Sequence, residues 1–150
     1  MKGVTGFEHI AIRARDVETM VRFYTDSLGL AEMARLFTDA GDLRLVYIRL
    51  TDTQCLEIFP GATDTVAASS QSAGMFHIGL AVENMDETVA DLATRGVTTT
   101  PITRGKSDGN RHAWVVDPEG NRFELMERSA TGLQRRAVAR LRGEQPASEQ

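Results

Sequence analysis

The chain has 150 residues, 41% of them hydrophobic, and a formal net charge of -4. That length allows one compact unit, or two small modules sharing a core, and excludes two large independent domains. The mildly acidic balance, with charges of both signs interspersed, excludes a basic field for a nucleic acid backbone. No apolar run approaches the roughly 18 residues of a membrane span, and the N-terminus lacks the apolar core and cleavage site of a signal peptide, so the expected compartment is the cytoplasm. The single Cys55 rules out an intrachain disulfide and agrees with a reducing compartment.

Residues 7–14 alternate, with Phe7, His9, Ala11 and Arg13 on one face and Ile10 and Ile12 on the other, which predicts a strand. Val17, Met20, Val21, Tyr24 and Leu28 then recur at helical spacing, with Asp16 as N-cap and Gly29 as terminator, predicting a helix over 17–28. Strands follow near 31–38, 43–50 and 54–60, the first two separated by the turn residues Asp39-Ala40-Gly41-Asp42. Residues 61–75, with Ser69-Ser70-Gln71-Ser72, read as a linker.

The same order then returns: a strand at 76–82, a helix at 86–95 stopped by Gly96, and strands near 97–103, 111–117 and 121–127. Asp117-Pro118-Glu119-Gly120-Asn121 sets a turn between the last two, with a fixed φ at proline and a permissive glycine. Beyond Arg128 the pattern stops; Leu133, Ala137 and Leu141 mark a short basic helix, and the composition from Gly143 is that of a disordered segment. The predicted fold is α+β, one domain over 1–128 made of two tandem βαβββ modules, 7–60 and 76–128, with the tail 129–150 peripheral to the chemistry.

The halves superpose as sequence. A shift of 68 lays His9-Ile10-Ala11-Ile12 on His77-Ile78-Gly79-Leu80, and after one deletion a shift of 67 lays Leu56-Glu57-Ile58 on Phe123-Glu124-Leu125. Strand alternation places Cys55, Glu57 and Phe59 opposite Leu56 and Ile58, and places Arg122, Glu124 and Met126 opposite Phe123 and Leu125. Each half thus carries one histidine and one glutamate on the sheet face away from its aliphatic residues. Any one of these side chains is adequately explained as a solvated or locally bonded group. All four at repeated positions argue instead for a ligand set, His9, Glu57, His77 and Glu124, because carboxylates on an inward sheet face are costly unless paired or metal-bound. A closed structural zinc site would favour cysteines and closely spaced ligand pairs, which are missing. Two imidazoles and two carboxylates suit a borderline divalent ion with positions left for water or substrate oxygens.

These residues resemble the vicinal oxygen chelate superfamily (glyoxalase, bleomycin resistance and extradiol dioxygenase proteins), and within it are most similar to glyoxalase I, lactoylglutathione lyase. The resemblance covers residues 7–128 and is carried by Glu8-His9-Ile10-Ala11-Ile12, by Phe76-His77-Ile78-Gly79-Leu80-Ala81-Val82 and by Asp117-Pro118-Glu119-Gly120-Asn121-Arg122-Phe123-Glu124-Leu125. It implies paired βαβββ modules forming curved mixed sheets around a metal site. It also implies a homodimer whose sites draw on both chains, with a small-molecule substrate and neither nucleic acid nor membrane as partner. One divalent ion per site is implied, nickel, cobalt, zinc, manganese or ferrous iron, with nickel or zinc favoured.

The activity implied is conversion of a 2-oxoaldehyde–thiol hemithioacetal to a 2-hydroxyacyl thioester through an enediolate, as in methylglyoxal detoxification. Glutathione is the possible co-substrate. Proton shuttling falls first to Glu124 and second to Glu57, with His9 and His77 as fixed ligands. Arg13 matches an arginine near the glutathione carboxylate, and Lys106 lies in the loop region that closes over the thioester. Two positions depart from the pattern: Phe59-Pro60-Gly61 stands where an asparagine is common, and Ala73 where some members carry an arginine. The alternatives are an epimerase or isomerase of a non-glutathione substrate, a non-catalytic small-molecule binding or resistance protein, and an extradiol dioxygenase, against which Glu57 as a fourth ligand argues. Cys55 is expected to pack rather than attack, His112 to be a surface or hydrogen-bonding residue, and Trp114 and Phe59 to serve the core more than a pocket.

Overall fold

The computed structural model describes residues 3–64 and 74–144. The middle of the expected linker, including Ala73, and the end of the tail from 145 lie outside the described residues. The chain forms two compact units, the second half of the chain lending Asp117–Gly120 to the first unit.

The first unit runs β1 (His9–Ala14), α1 (Val17–Arg22), a π-helical turn (Phe23–Ser27), β2 (Ala31–Phe37), β3 (Leu43–Thr51) and β4 (Gln54–Pro60). Its sheet has the order β1-β4-β3-β2, with β1 parallel to β4 and the other pairs antiparallel. A parallel pair needs a crossover, here supplied by the helix and the β2–β3 hairpin. The alternation read from sequence holds in β1, where Ile12 and Ala14 are buried while His9, Ala11 and Arg13 are exposed. Met20, Tyr24, Val46, Ile48, Leu56 and Ile58 form the centre of the core, each at most 1% exposed. Asp16 caps α1 by accepting from the Thr19 N–H at 3.0 Å. The helix does not run regularly to 28: Leu28 N–H donates to the Phe23 carbonyl five residues back, at 2.9 Å, and Gly29 leaves with φ +71°. The wider turn keeps Val17, Met20, Val21 and Tyr24 all buried.

The Asp117–Gly120 turn completes this unit through side chains. Tyr24 hydroxyl donates to Asp117 Oδ2 at 2.7 Å, and Glu119 accepts from Arg15 Nε and from the Arg15 backbone N–H, both at 2.8 Å. Burial, then the Asp117 carboxylate, pushes the Tyr24 pKa far up, so the phenol remains a donor.

The second unit runs β5 (Ile78–Ala81), α2 (Met85–Thr94), β6 (Thr103–Arg104), β7 (Arg111–Val116), β8 (Arg122–Glu127) and α3 (Leu133–Arg142). Its sheet repeats the first in the order β5-β8-β7-β6, with β5 parallel to β8. Asn84 caps α2 through the Asp86 and Glu87 N–H groups. Ile78, Met85, Leu92, Ala113, Val115, Phe123 and Leu125 are buried. The fold is therefore α+β, with two four-stranded mixed sheets.

Two strand expectations need correction. The strand expected at 76–82 is shorter, and His77 precedes β5 because the ladder with β8 starts at Ile78↔Phe123. The strand expected at 97–103 is reduced to Thr103–Arg104. Pro101 has no N–H for a ladder; Thr100 instead brackets Trp114, donating to its carbonyl at 3.0 Å and accepting its N–H on Oγ1 at 3.0 Å. The basic helix after Arg128 is α3, tied down by the buried Asn110, whose amide donates to Asp108 and Gln134 while its oxygen accepts from Ser129 N–H. No helix among the described residues is long and apolar enough to cross a membrane.

Candidate functional site

In the first unit, β1 and β4 run side by side with Ala11 opposite Glu57, and β3 places Tyr47 on the other flank of Glu57. The small Ala11 leaves His9 room to lean along the sheet, and His9 Nε2 stands 3.7 Å from Glu57 Oε2. The Glu57 side chain is 13% exposed. The other imidazole nitrogen, His9 Nδ1, is engaged by the Glu8 carboxylate. That contact, followed by the field of Glu57, raises the His9 pKa above the usual value, and in the neutral imidazole it fixes the proton on Nδ1. Such a carboxylate–histidine arrangement leaves the Nε2 lone pair free for a cation shared with Glu57.

The second unit builds the same pair. Glu124 lies between Gly79 on β5 and Trp114 on β7, and His77 Nε2 stands 3.2 Å from Glu124 Oε2. Two donors each about 2.1 Å from one ion stand roughly 3.0–3.4 Å apart at octahedral to tetrahedral angles, so this pair has the spacing of shared ligation and the first is slightly wider. Glu124 is only 9% exposed. His77 Nδ1 is buried without a hydrogen-bond partner, its ring set edge-on to Trp114 at 5.0 Å and to Phe76 at 5.3 Å. A buried carboxylate whose neighbours are imidazole and indole is unfavourable unless a cation joins it.

His112 departs from its expected surface role. Its side chain is 22% exposed, and Nδ1, buried and without a hydrogen bond, lies 3.5 Å from Glu124 Oε1. Among the described residues no group of three or more His, Cys, Asp or Glu is gathered tightly enough to hold an ion.

Arg13 shares the exposed face of β1 with His9 and donates from Nη1 to the Pro60 carbonyl at 2.9 Å. Lys106 is exposed in the turn after β6. Cys55 is 8% exposed on the Glu57 strand. Burial, then Glu8 and Glu57, raises its pKa, so the thiol stays protonated and packs as expected.

Sequence reading passed over Tyr47 and placed Trp114 in the core more than in a pocket. The shift of 67 that relates the glutamates also lays Tyr47 on Trp114, so the repeat itself marked an aromatic neighbour for each carboxylate. Desolvation, and then the Glu57 carboxylate, raises the Tyr47 pKa. Trp114 is half-buried on the ligand face, which makes it part of the site's wall rather than of the core.

Residues 6–125 match the family model described as the Glyoxalase/Bleomycin resistance protein/Dioxygenase superfamily. An uncharacterized Escherichia coli K12 protein, YaeR, is 28% identical over 128 residues, 85% of this chain and 99% of that one. Among solved structures, a glyoxalase family protein from Enterococcus faecalis is 26% identical with a TM-score of 0.69, covering 82% of this chain and 98% of its own. A lactoylglutathione lyase from Agrobacterium tumefaciens shares the fold at 21% identity and a TM-score of 0.62, covering 84% of this chain and 96% of its own.

Proposed function

We propose, from the premise that the chain belongs to the Glyoxalase/Bleomycin resistance protein/Dioxygenase superfamily, that it is a cytoplasmic, homodimeric, metal-dependent enzyme of glyoxalase I type. In this reading it rearranges the hemithioacetal of a 2-oxoaldehyde and a thiol to a 2-hydroxyacyl thioester. The observation that carries the reading is the His77–Glu124 pair at 3.2 Å, with its carboxylate buried and its aliphatic neighbours facing the core, repeated as His9–Glu57 at 3.7 Å.

His9, His77, Glu57 and Glu124 are the ligands in this proposal, and His77 Nε2, 3.2 Å from the desolvated Glu124 carboxylate, fits that role. A divalent ion held there would supply Lewis-acid polarisation of two adjacent substrate oxygens. The donor set suits a borderline divalent ion, and the nickel-or-zinc preference is what the family resemblance implies. Glu8 orients His9 through Nδ1, as outer carboxylates do for ligating histidines. Glu124 removes the proton from the carbon beside the carbonyl and returns it to the neighbouring carbon, with Glu57 second in line. Such general-base help is worth roughly 10²- to 10⁴-fold. Trp114 and Phe76 flank His77 edge-on and restrict its ring.

The test is isomerisation of the methylglyoxal–glutathione hemithioacetal by metal-stripped protein, reloaded separately with nickel, cobalt, zinc or manganese. Metal-dependent turnover is the expected result and names the ion; bound metal without turnover refutes the glyoxalase assignment. A second reading, an epimerase or isomerase of a substrate lacking glutathione, draws support from Arg13, which already spends a donor on Pro60, and from Phe59-Pro60-Gly61 in place of an asparagine. Solvent deuterium entering a thiol-free substrate would select it.

A further inference from the structure

The second unit carries a cation, Arg122, that the metal chemistry does not use. The Arg122 guanidinium carbon lies 4.9 Å from the centroid of the Phe76 ring and 4.7 Å from that of Trp114. No carboxylate of the described residues stands within 4.0 Å of that guanidinium. Arg122 and Glu124 share a face of β8, which puts their Cα atoms about 7 Å apart. Trp114, directly across from Glu124, touches both groups, edge-on to His77 and beneath Arg122.

Aromatic faces attract a guanidinium and restrict its rotation without neutralising its charge. Restrained by two rings, the planar guanidinium carries N–H groups that can act as a fork for a coplanar, bidentate carboxylate. The fold does not demand an arginine here. The repeat places Cys55 at the position of Arg122, Glu8 at that of Phe76 and Tyr47 at that of Trp114, and the first unit forms the same sheet with those residues.

We propose that Arg122, held by Phe76 and Trp114, is a subsite for a carboxylate of the substrate, so that the molecule taken carries two adjacent oxygens at one end and a carboxylate at the other. The inference rests on the metal reading for where the reacting end lies. The carboxylate is that of a small organic acid or that of a thiol peptide, and the arms of the test separate these sources.

Trp114 is the single tryptophan of the chain, so its emission reports on the subsite. Metal-loaded protein is titrated with acetohydroxamate, which has two adjacent oxygens and no carboxylate, with the monohydroxamate of succinic acid, which adds one, and with S-methylglutathione. The succinyl hydroxamate is expected to bind about tenfold more tightly than acetohydroxamate, and Arg122→Gln to abolish the difference. Arg122→Lys recovers only part of it, keeping the charge but losing the planar fork. An Arg122-dependent gain confined to S-methylglutathione upholds the subsite and assigns it to a thiol peptide. Equal affinity for the two hydroxamates, with no Arg122-dependent binding of S-methylglutathione, overturns the subsite and leaves the metal site standing. If neither hydroxamate binds in a metal-dependent manner, the metal reading falls and succinate decides the subsite in metal-free protein. Saturable quenching of Trp114 that Arg122→Gln removes upholds it; no quenching overturns it.

Discussion

The two units carry the same strand order and the same His/Glu pair, yet the surroundings of the pair differ in kind. Around His9 and Glu57 the neighbours are Glu8, Cys55 and Tyr47, an acid and two weak acids whose protons the local field retains. Around His77 and Glu124 they are Phe76, Arg122, Trp114 and His112. The first unit orients and enriches an imidazole. The second borders its carboxylate with aromatic rings and places Arg122 on the same sheet face, while the two carboxylate side chains are almost equally buried, 13% and 11% exposed. A repeated backbone has thus been given two surroundings by side chains at matched positions, and the proposed order of proton transfer, Glu124 before Glu57, rests on that difference.

The sharpest way to break that comparison is to neutralise each carboxylate in turn. Glu124→Gln should lower turnover by roughly 10²- to 10⁴-fold with metal content retained, and Glu57→Gln should cost less; metal analysis beside initial rates measures both, and the reverse order would exchange the roles of the units. Next in size, Tyr24→Phe removes the donor to Asp117 from the first unit, where the second has no matching contact, and should cost about 1–3 kcal/mol in urea unfolding. Hydrogen exchange should then show α1 losing protection ahead of α2.

Glu119→Gln probes the same turn by pH. The Arg15 side chain, opposed by desolvation and aided by the backbone N–H groups of Asp16 and Arg15, holds the Glu119 pKa below its ordinary 4.5. A lowered folded-state pKa gives stability that is full above the unfolded value and lost as pH falls through the folded one. The variant should therefore melt about 2–4 °C below the wild type at pH 7 and approach it near pH 3. A gap that widened in acid would refute the ion pair's contribution. Smallest is Gly79→Ala, which makes the second unit match Ala11 of the first. An added Cβ meets nothing within 4 Å, so thermal unfolding should move by less than about 0.5 kcal/mol equivalent.

The order of elements, the cap at Asp16 and the faces of β1, β4 and β8 were legible because two-residue alternation and helical spacing follow directly from burial. The His/Glu pairing was legible because the chain states it twice. Three features were not. The β6 region reads as a strand by composition, but Pro101 and the Thr100–Trp114 contacts are settled by hydrogen bonds that no local pattern encodes. His112 has no repeated partner, since a shift of 67 lays it on Leu45, and its approach to Glu124 depends on the β7–β8 register. Asn110, 1% exposed, gathers Asp108, Ser129 and Gln134 from scattered points of the second unit, which only the folded chain brings together.

The loan of Asp117–Gly120 to the first unit bears on how such a repeat can arise and be divided. A polypeptide ending at residue 64 would contain every strand of the first sheet but neither the acceptor for Tyr24 nor the anchor for Arg15. The two halves are copies in topology, yet the first unit takes four residues from the sequence of the second half. A gene split within the linker would part Tyr24 and Arg15 from their partners, so the boundary of the repeat is not the boundary of the folded unit.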